Sequence, residues 1–138
     1  MLFTNYKTLN QKIKYLNLQF AIYFLRCIMP SMRQTIKKHS DFLFPRDAAS
    51  YRSPYFTMRA RPTKWDRDAR FGIVAAKKVL KLAIARNRAK RLIRAWLNEC
   101  ADELNPNLDY VFIVRADILN ASKTDGVSAI RAGLAQLK

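Results

Sequence analysis

Residues 70–94 read Arg-Phe-Gly-Ile-Val-Ala-Ala-Lys-Lys-Val-Leu-Lys-Leu-Ala-Ile-Ala-Arg-Asn-Arg-Ala-Lys-Arg-Leu-Ile-Arg: an apolar strand, a lysine-rich connection and the start of a helix. Its last nine residues, Arg86 to Arg94, carry five cations and one asparagine without giving up a helical apolar stripe. At about 100° per residue, Asn87, Lys90, Arg91, Arg94 and Asn98 fall on one arc. Ala89, Leu92, Ile93, Trp96, Leu97 and Cys100 fall on the opposite arc, at the spacing that buries against a sheet. Arg86 and Arg88 flank the two. The dense guanidinium face suits nucleic-acid phosphates, because arginine makes bidentate, permanently charged contacts and asparagine adds a directional donor and acceptor. A merely solvated basic face is the competing reading, and it is the weaker one here. Nine cations and no acid lie between Arg70 and Arg94.

Outward from this stretch the pattern stays regular. The helix is expected from about Ala83 to Leu104, stopping before Asn105-Pro106-Asn107. Tyr110 to Val114 is too uniformly apolar for a strand with a wet face. Thr124 is placed to cap a last helix whose stripe is Val127, Ile130, Leu134 and Leu137. On the N-terminal side, Thr35 to Phe44 reads as a short helix ended by Pro45. Ser53 to Arg61 reads as a strand, with Phe56, Met58 and Ala60 on one face and Tyr55, Thr57, Arg59 and Arg61 on the other. Pro62 to Asp68 is a polar loop containing Trp65, and an additional strand could be hidden between Pro62 and Arg70. The order αβββαβα predicts an α/β (α+β) two-layer sandwich, a small mixed sheet covered by helices.

A chain of 138 residues predicts one domain with a modest core. The net charge of +16 calls for a polyanionic partner. That charge is uneven: +4 over residues 1–31, +5 over 32–69, +8 over 70–100 and −1 over 101–138. Cys27 and Cys100 show no metal-ligand spacing, and Cys100 reads as a buried reduced thiol. Residues 1–31 differ from the rest, with Lys7, Lys12 and Lys14 ahead of an apolar stretch from Leu16 to Met29. That stretch is too short and too polar to span a bilayer. The favoured reading is a non-conforming or disordered extension from an over-long reading frame, with Met29 and Met32 as alternative starts. A membrane-surface helix and an export signal are the alternatives. Residues 32–138 are then the domain.

Catalytic chemistry is not visible. His39 sits among Lys37, Lys38 and Ser40 on a polar surface. Metal-dependent nucleases need clustered carboxylates. The closest pairs, Asp66/Asp68 and Asp102/Glu103, show no ligand pattern, and no metal or cofactor on the protein is expected.

The stretch from Phe71 to Arg94 resembles the signature of the bacterial ribonuclease P protein family. Lys77 and Lys78 match the paired lysines that end the strand. Arg86, Asn87 and Arg88 match the triplet, and Lys90, Arg91 and Arg94 match the basic positions after it. The likeness extends more weakly over about 33–138, through Asp41-Phe42 and Asp109-Tyr110, and residues 1–31 have no counterpart. The resemblance implies a left-handed strand–helix–strand crossover, against the usual preference. It also implies a division of labour in which an RNA partner carries the catalytic centre and its magnesium ions. The protein would bind that ribonuclease P RNA and hold the 5′ leader of precursor tRNA in a cleft between the first helix and the sheet. Removal of the leader leaves the mature tRNA 5′ end, so the chain would be an endonuclease subunit without a catalytic residue of its own.

Candidate RNA-binding residues are accordingly Lys77, Lys78, Lys81, Arg86, Asn87, Arg88, Lys90, Arg91 and Arg94. Candidate cleft residues are Phe42, Phe44, Tyr55, Thr57 and Arg59, since aromatics stack on single-stranded bases and arginines meet the backbone. Phe42 and Phe44 read equally well as plain core. The chain departs from the family pattern where Arg46 replaces a second aromatic, Pro45 shortens the helix, Arg59 replaces an aromatic, and Leu80 replaces a glycine. A cytoplasmic location without stable membrane association is expected. The alternative reading is a structural RNA-binding protein of ribosomal type with no processing role.

Overall fold

The structure, a computed structural model, describes residues 35–63 and 69–138. Four strands, β1 (Ser50–Arg52), β2 (Phe56–Pro62), β3 (Arg70–Val74) and β4 (Leu108–Val114), form one sheet in the spatial order β1-β2-β4-β3. β2 is antiparallel to both β1 and β4, whereas β3 is parallel to β4. A parallel pair needs a long crossover, and helix α1 (Ala83–Glu99) provides it. Helix α2 (Lys123–Gln136) follows β4. The expected α+β class, a small mixed sheet with helices, is the one observed.

Period-two alternation in β2 sends Phe56, Met58 and Ala60 to the helix side, opposite Val114, Phe112 and Tyr110 of β4. The apolar arc of α1 closes on them, with Ala89, Ile93, Trp96, Leu97 and Cys100 all buried. Each large side chain withdrawn from water in this way contributes about 1.5–3 kcal/mol. α2 adds Ile130, Leu134 and Leu137. It can approach closely because Gly126 lies against the Trp96 indole, where any Cβ would strike the ring. The cap of α2 is Ser122, whose hydroxyl accepts from the Asp125 amide at 3.1 Å, and not Thr124.

Three other expectations are corrected. The first helix is only a 3-10 turn over His39–Phe42. Ahead of it, the Ile36 amide donates to the Phe71 carbonyl at 2.9 Å, and Thr35 bridges to the same residue. The open edge of β3 offers these backbone groups partners that a short, marginal helix could not. β1, upstream of β2, is a strand the sequence did not reveal, since three residues are too few to carry a period; the strand expected between Pro62 and Arg70 falls mostly outside the described residues. Residues 64–68, including Trp65 and Asp66/Asp68, lie outside the described residues. β2 starts at Phe56, not Ser53, because Ser53 makes the hairpin turn: its hydroxyl accepts from the Phe56 amide at 3.1 Å. α1 ends at Glu99 and tightens into a 3-10 turn over Ala101–Glu103. Expectations for residues 1–31, Cys27 among them, also fall outside the described residues.

Candidate nucleic-acid interface

Two surfaces follow from this fold. The first is the outer arc of α1 with the connection that precedes it. Asn87, Arg88, Arg91 and Arg94 are exposed, and Lys90 is half-buried. In the connection, the amides of Val79 and Leu80 both donate to the Ala76 carbonyl, at 3.1 and 3.0 Å, which makes a tight turn. Leu80 is buried and anchors it, leaving Lys77, Lys78 and Lys81 exposed around it. Arg86 is partly committed inside the protein. Its Nη1 donates to the carbonyls of Leu80 and Lys81 at 2.9 and 2.7 Å, which holds the lysine turn against the first turn of the helix. That first turn has no acid and no side-chain cap, so the positive end of the helix dipole adds to the cationic field. Val79, Leu82 and Ile84 stand exposed among these lysines, a feature the sequence reading passed over.

The second surface is the sheet face turned away from the helices. Strand register places Ser50, Arg59, Val111 and Gly72 in one row across it, and Arg61, Asp109 and Arg70 in the next. The chain from Asp41 to Arg46 crosses over these two rows. Phe42 lies on Gly72, where any Cβ would meet its ring. The Arg61 guanidinium sits 4.7 Å from the centre of the Phe44 ring and donates to the Leu43 carbonyl at 3.3 Å. Arg59 donates to the Pro45 carbonyl at 2.7 Å, with Arg46 O at 3.5 Å.

Beneath this strap lies a four-residue ion network. Fully buried Asp109 accepts from Arg70 Nε at 3.0 Å and Nη2 at 2.6 Å. Arg61 reaches the same carboxylate at 3.6 Å, and Asp41 lies 3.4 Å from Arg70 and 3.9 Å from Arg61. The hydrogen bonds that Arg70 donates to Asp109 hold its guanidinium above the ordinary arginine pKa, so it is charged at every accessible pH. A buried, doubly bonded pair of this kind sets geometry more surely than it adds stability.

The cleft residues expected from sequence therefore separate. Phe42, Phe44, Thr57 and Arg59 share the open face or the strap above it. Tyr55 does not: it precedes β2, and its ring lies 6.4 Å from Trp96 on the helix side. Sequence alternation put it with Thr57, but the hairpin turn at Ser53 breaks the alternation there. Among the described residues no three of His, Cys, Asp or Glu gather as a metal site requires. Nor is any described helix long and apolar enough to cross a membrane.

A basic helix arc joined to a lysine turn thus shares one small domain with a sheet face strapped by a phenylalanine segment. The family model described as Ribonuclease P matches residues 31–138. The chain belongs to the ribonuclease P protein family. It is 41% identical to the ribonuclease P protein component of Nitratiruptor sp. over 85 residues, which is 62% of this chain and 72% of that protein. Against the component from Lactobacillus delbrueckii subsp. bulgaricus it is 39% identical over 82 residues, 58% of this chain and 67% of that one. Its fold is similar to the Staphylococcus aureus RNase P protein, with a TM-score of 0.61 and 24% identity over 73% of this chain and 92% of the other. The RNase P protein from Thermotoga maritima gives 0.62 and 21% over 76% and 96%.

Two departures from the ribonuclease P protein pattern have structural accounts. Leu80 stands where glycine is usual, yet no described non-glycine residue has positive φ, so this backbone makes no demand for glycine. Arg59 stands where an aromatic is usual and is used to fasten the strap at Pro45.

Proposed function

We propose that this chain is the protein subunit of a ribonuclease P holoenzyme. Lys77, Lys78, Lys81, Arg86, Asn87, Arg88, Lys90, Arg91 and Arg94 bind the ribonuclease P RNA. The open sheet face, with Phe42, Phe44, Thr57 and Arg59, receives the 5′ leader of precursor tRNA. The observation that carries this reading is the pairing of an acid-free cationic helix face with a separate aromatic-strapped sheet face on one small domain. Counterion release from the first supplies most of the RNA affinity. The second offers flat apolar surface that takes any base.

The chain's contribution is positional. Its cations lower the repulsion between two RNAs, and the cleft fixes the leader, so the scissile phosphodiester meets the catalytic centre and magnesium ions of the RNA partner. No group of the protein touches the reacting phosphate. The left-handed sense of the β3–α1–β4 crossover and a cytoplasmic setting belong to the same proposal. The test is reconstitution: purified chain is added to a ribonuclease P RNA at limiting magnesium, and cleavage of precursor tRNA is followed. The expected result is rescue of leader removal, leaving a 5′-phosphate on the tRNA, with rescue greater for precursors whose leader can reach the sheet. Equal RNA affinity with no effect on cleavage would favour the ribosomal-type alternative.

A further inference from the structure

The open sheet face carries more cations than the sequence reading gave it, and most of them are engaged. Arg59 fastens Pro45, Arg61 fastens Leu43 and Phe44, and Arg70 is buried with Asp109. Arg115, just past β4, donates Nη1 to the Ser53 carbonyl at 3.1 Å. The strap covers the two rows that contain Arg59 and Arg61. The strap's hydrogen bonds to Arg59 and Arg61 stop short of the next row, which register sets as Arg52, Thr57, Ile113 and Val74. Directly opposed residues in paired strands project to the same face. Tyr51 checks the assignment independently: its ring lies against α2 at Gly133, so its neighbour Arg52 projects the other way. Thr57, Ile113 and Val74 are half-exposed, and Arg52 is exposed on the edge strand.

We infer that Arg52 is the cation that meets the leader backbone, a deeper reading of the same cleft that rests on the function proposed above. The row is built for a single strand. Half-buried Val74, Ile113 and Thr57 form a shallow apolar floor, Phe42 over Gly72 stands at one side, and Arg52 closes the far edge. From β3 to β1 the floor spans three strand spacings, roughly 14 Å. A strand lying across it with bases toward Phe42 and the floor turns its phosphates toward that edge. Arg52 reaches them with no competing partner among the described residues. Arg59, the residue the sequence pattern favours for this contact, acts instead through the strap.

The test uses the reconstituted holoenzyme and two precursor tRNAs, one with a leader long enough to cross the sheet and one with a single leader nucleotide. The reading is the ratio of their affinities. Arg52→Ala should lower that ratio about three- to fivefold, as for an exposed charge contact. Arg52→Lys should restore most of it, because a single phosphate needs only a point charge. The salt dependence of the long-leader advantage should lose about 0.7 in log–log slope for one single-strand phosphate. Thr57→Glu, which places an anion on the floor, serves as a control for the cleft, and melting curves verify that each variant folds. If Thr57→Glu abolishes the ratio while Arg52→Ala leaves it unchanged, Arg52 is excluded and the cleft stands. A wild-type holoenzyme with no long-leader advantage would remove the cleft, and this inference with it. Equal weakening of both precursors by Arg52→Ala would make it a general electrostatic contributor and also overturn the assignment.

Discussion

Replacing Asp109 by alanine removes the centre of the ion network and leaves Arg70 charged beneath the strap. Arg70 loses bonds of 3.0 and 2.6 Å, and its side chain is only 9% exposed, so water cannot replace them fully. Breaking a buried pair from one side costs about 3–5 kcal/mol. The low end applies here, because Asp41 remains 3.4 Å from the guanidinium and is itself 28% exposed. For a domain of this size about 3 kcal/mol lowers the melting temperature by roughly 12–24 °C. Calorimetry and urea unfolding of the full chain measure it. The double variant Arg70→Met with Asp109→Leu removes both charges, and it should recover to within about 1 kcal/mol of wild type, since apolar replacement of a whole buried pair is often neutral. Two results would refute the reasoning: an alanine variant melting within about 4 °C of wild type, or a double variant as unstable as the sum of its single changes. Either would mean that the buried Arg70–Asp109 pair does not carry the stability assigned to it.

Four further outcomes follow from the same geometry. Arg88→Ala and Arg91→Ala should weaken binding to ribonuclease P RNA in a gel-shift titration without moving the melting temperature, whereas Arg86→Ala should also lower stability by about 1 kcal/mol by freeing the Leu80 and Lys81 carbonyls. RNA affinity should fall with salt at a log–log slope on the order of −4 to −5 if about six cations each meet a phosphate, and a slope shallower than about −2 would remove the helix face as the main surface. Burial raises the pKa of the Cys100 thiol and the Tyr110 phenol, so the unfolded chain releases these protons first. Stability should therefore decline as pH climbs past the ordinary values of 9.0 and 10.0, and the Cys100 thiol should resist thiol reagents until the domain unfolds. Gly126→Ala should cost about 1–3 kcal/mol in thermal unfolding, because its methyl would strike the Trp96 indole; an unchanged melting point would mean that α2 shifts freely over the core.

Much of this molecule was legible residue by residue. The two arcs of α1, the alternating faces of β2 from Phe56 onward and the uniformly apolar β4 depend on helix and strand periods that act within a few positions. The cationic zone from Arg70 to Arg94 is a property of composition, and no folding step could hide it. Those features were enough to establish the α+β class and the basic outer arc of α1. The cleft was only half legible. Its first wall reads as a helix from Thr35 to Phe44, but the backbone there pairs with the edge of β3, a partner 35 positions further along for Ile36. Tyr55 falls on the helix side because a hydrogen-bonded turn at Ser53 resets the alternation. Arg70 and Asp109 meet across 39 positions, and a lone acid ahead of an apolar strand hints at burial without naming its partner. Arg59 and Arg52 are both arginines near strands, and nothing local says that one fastens the strap while the other stands open. Register decides that, and register arises only when strands distant in the chain pair in the assembled sheet.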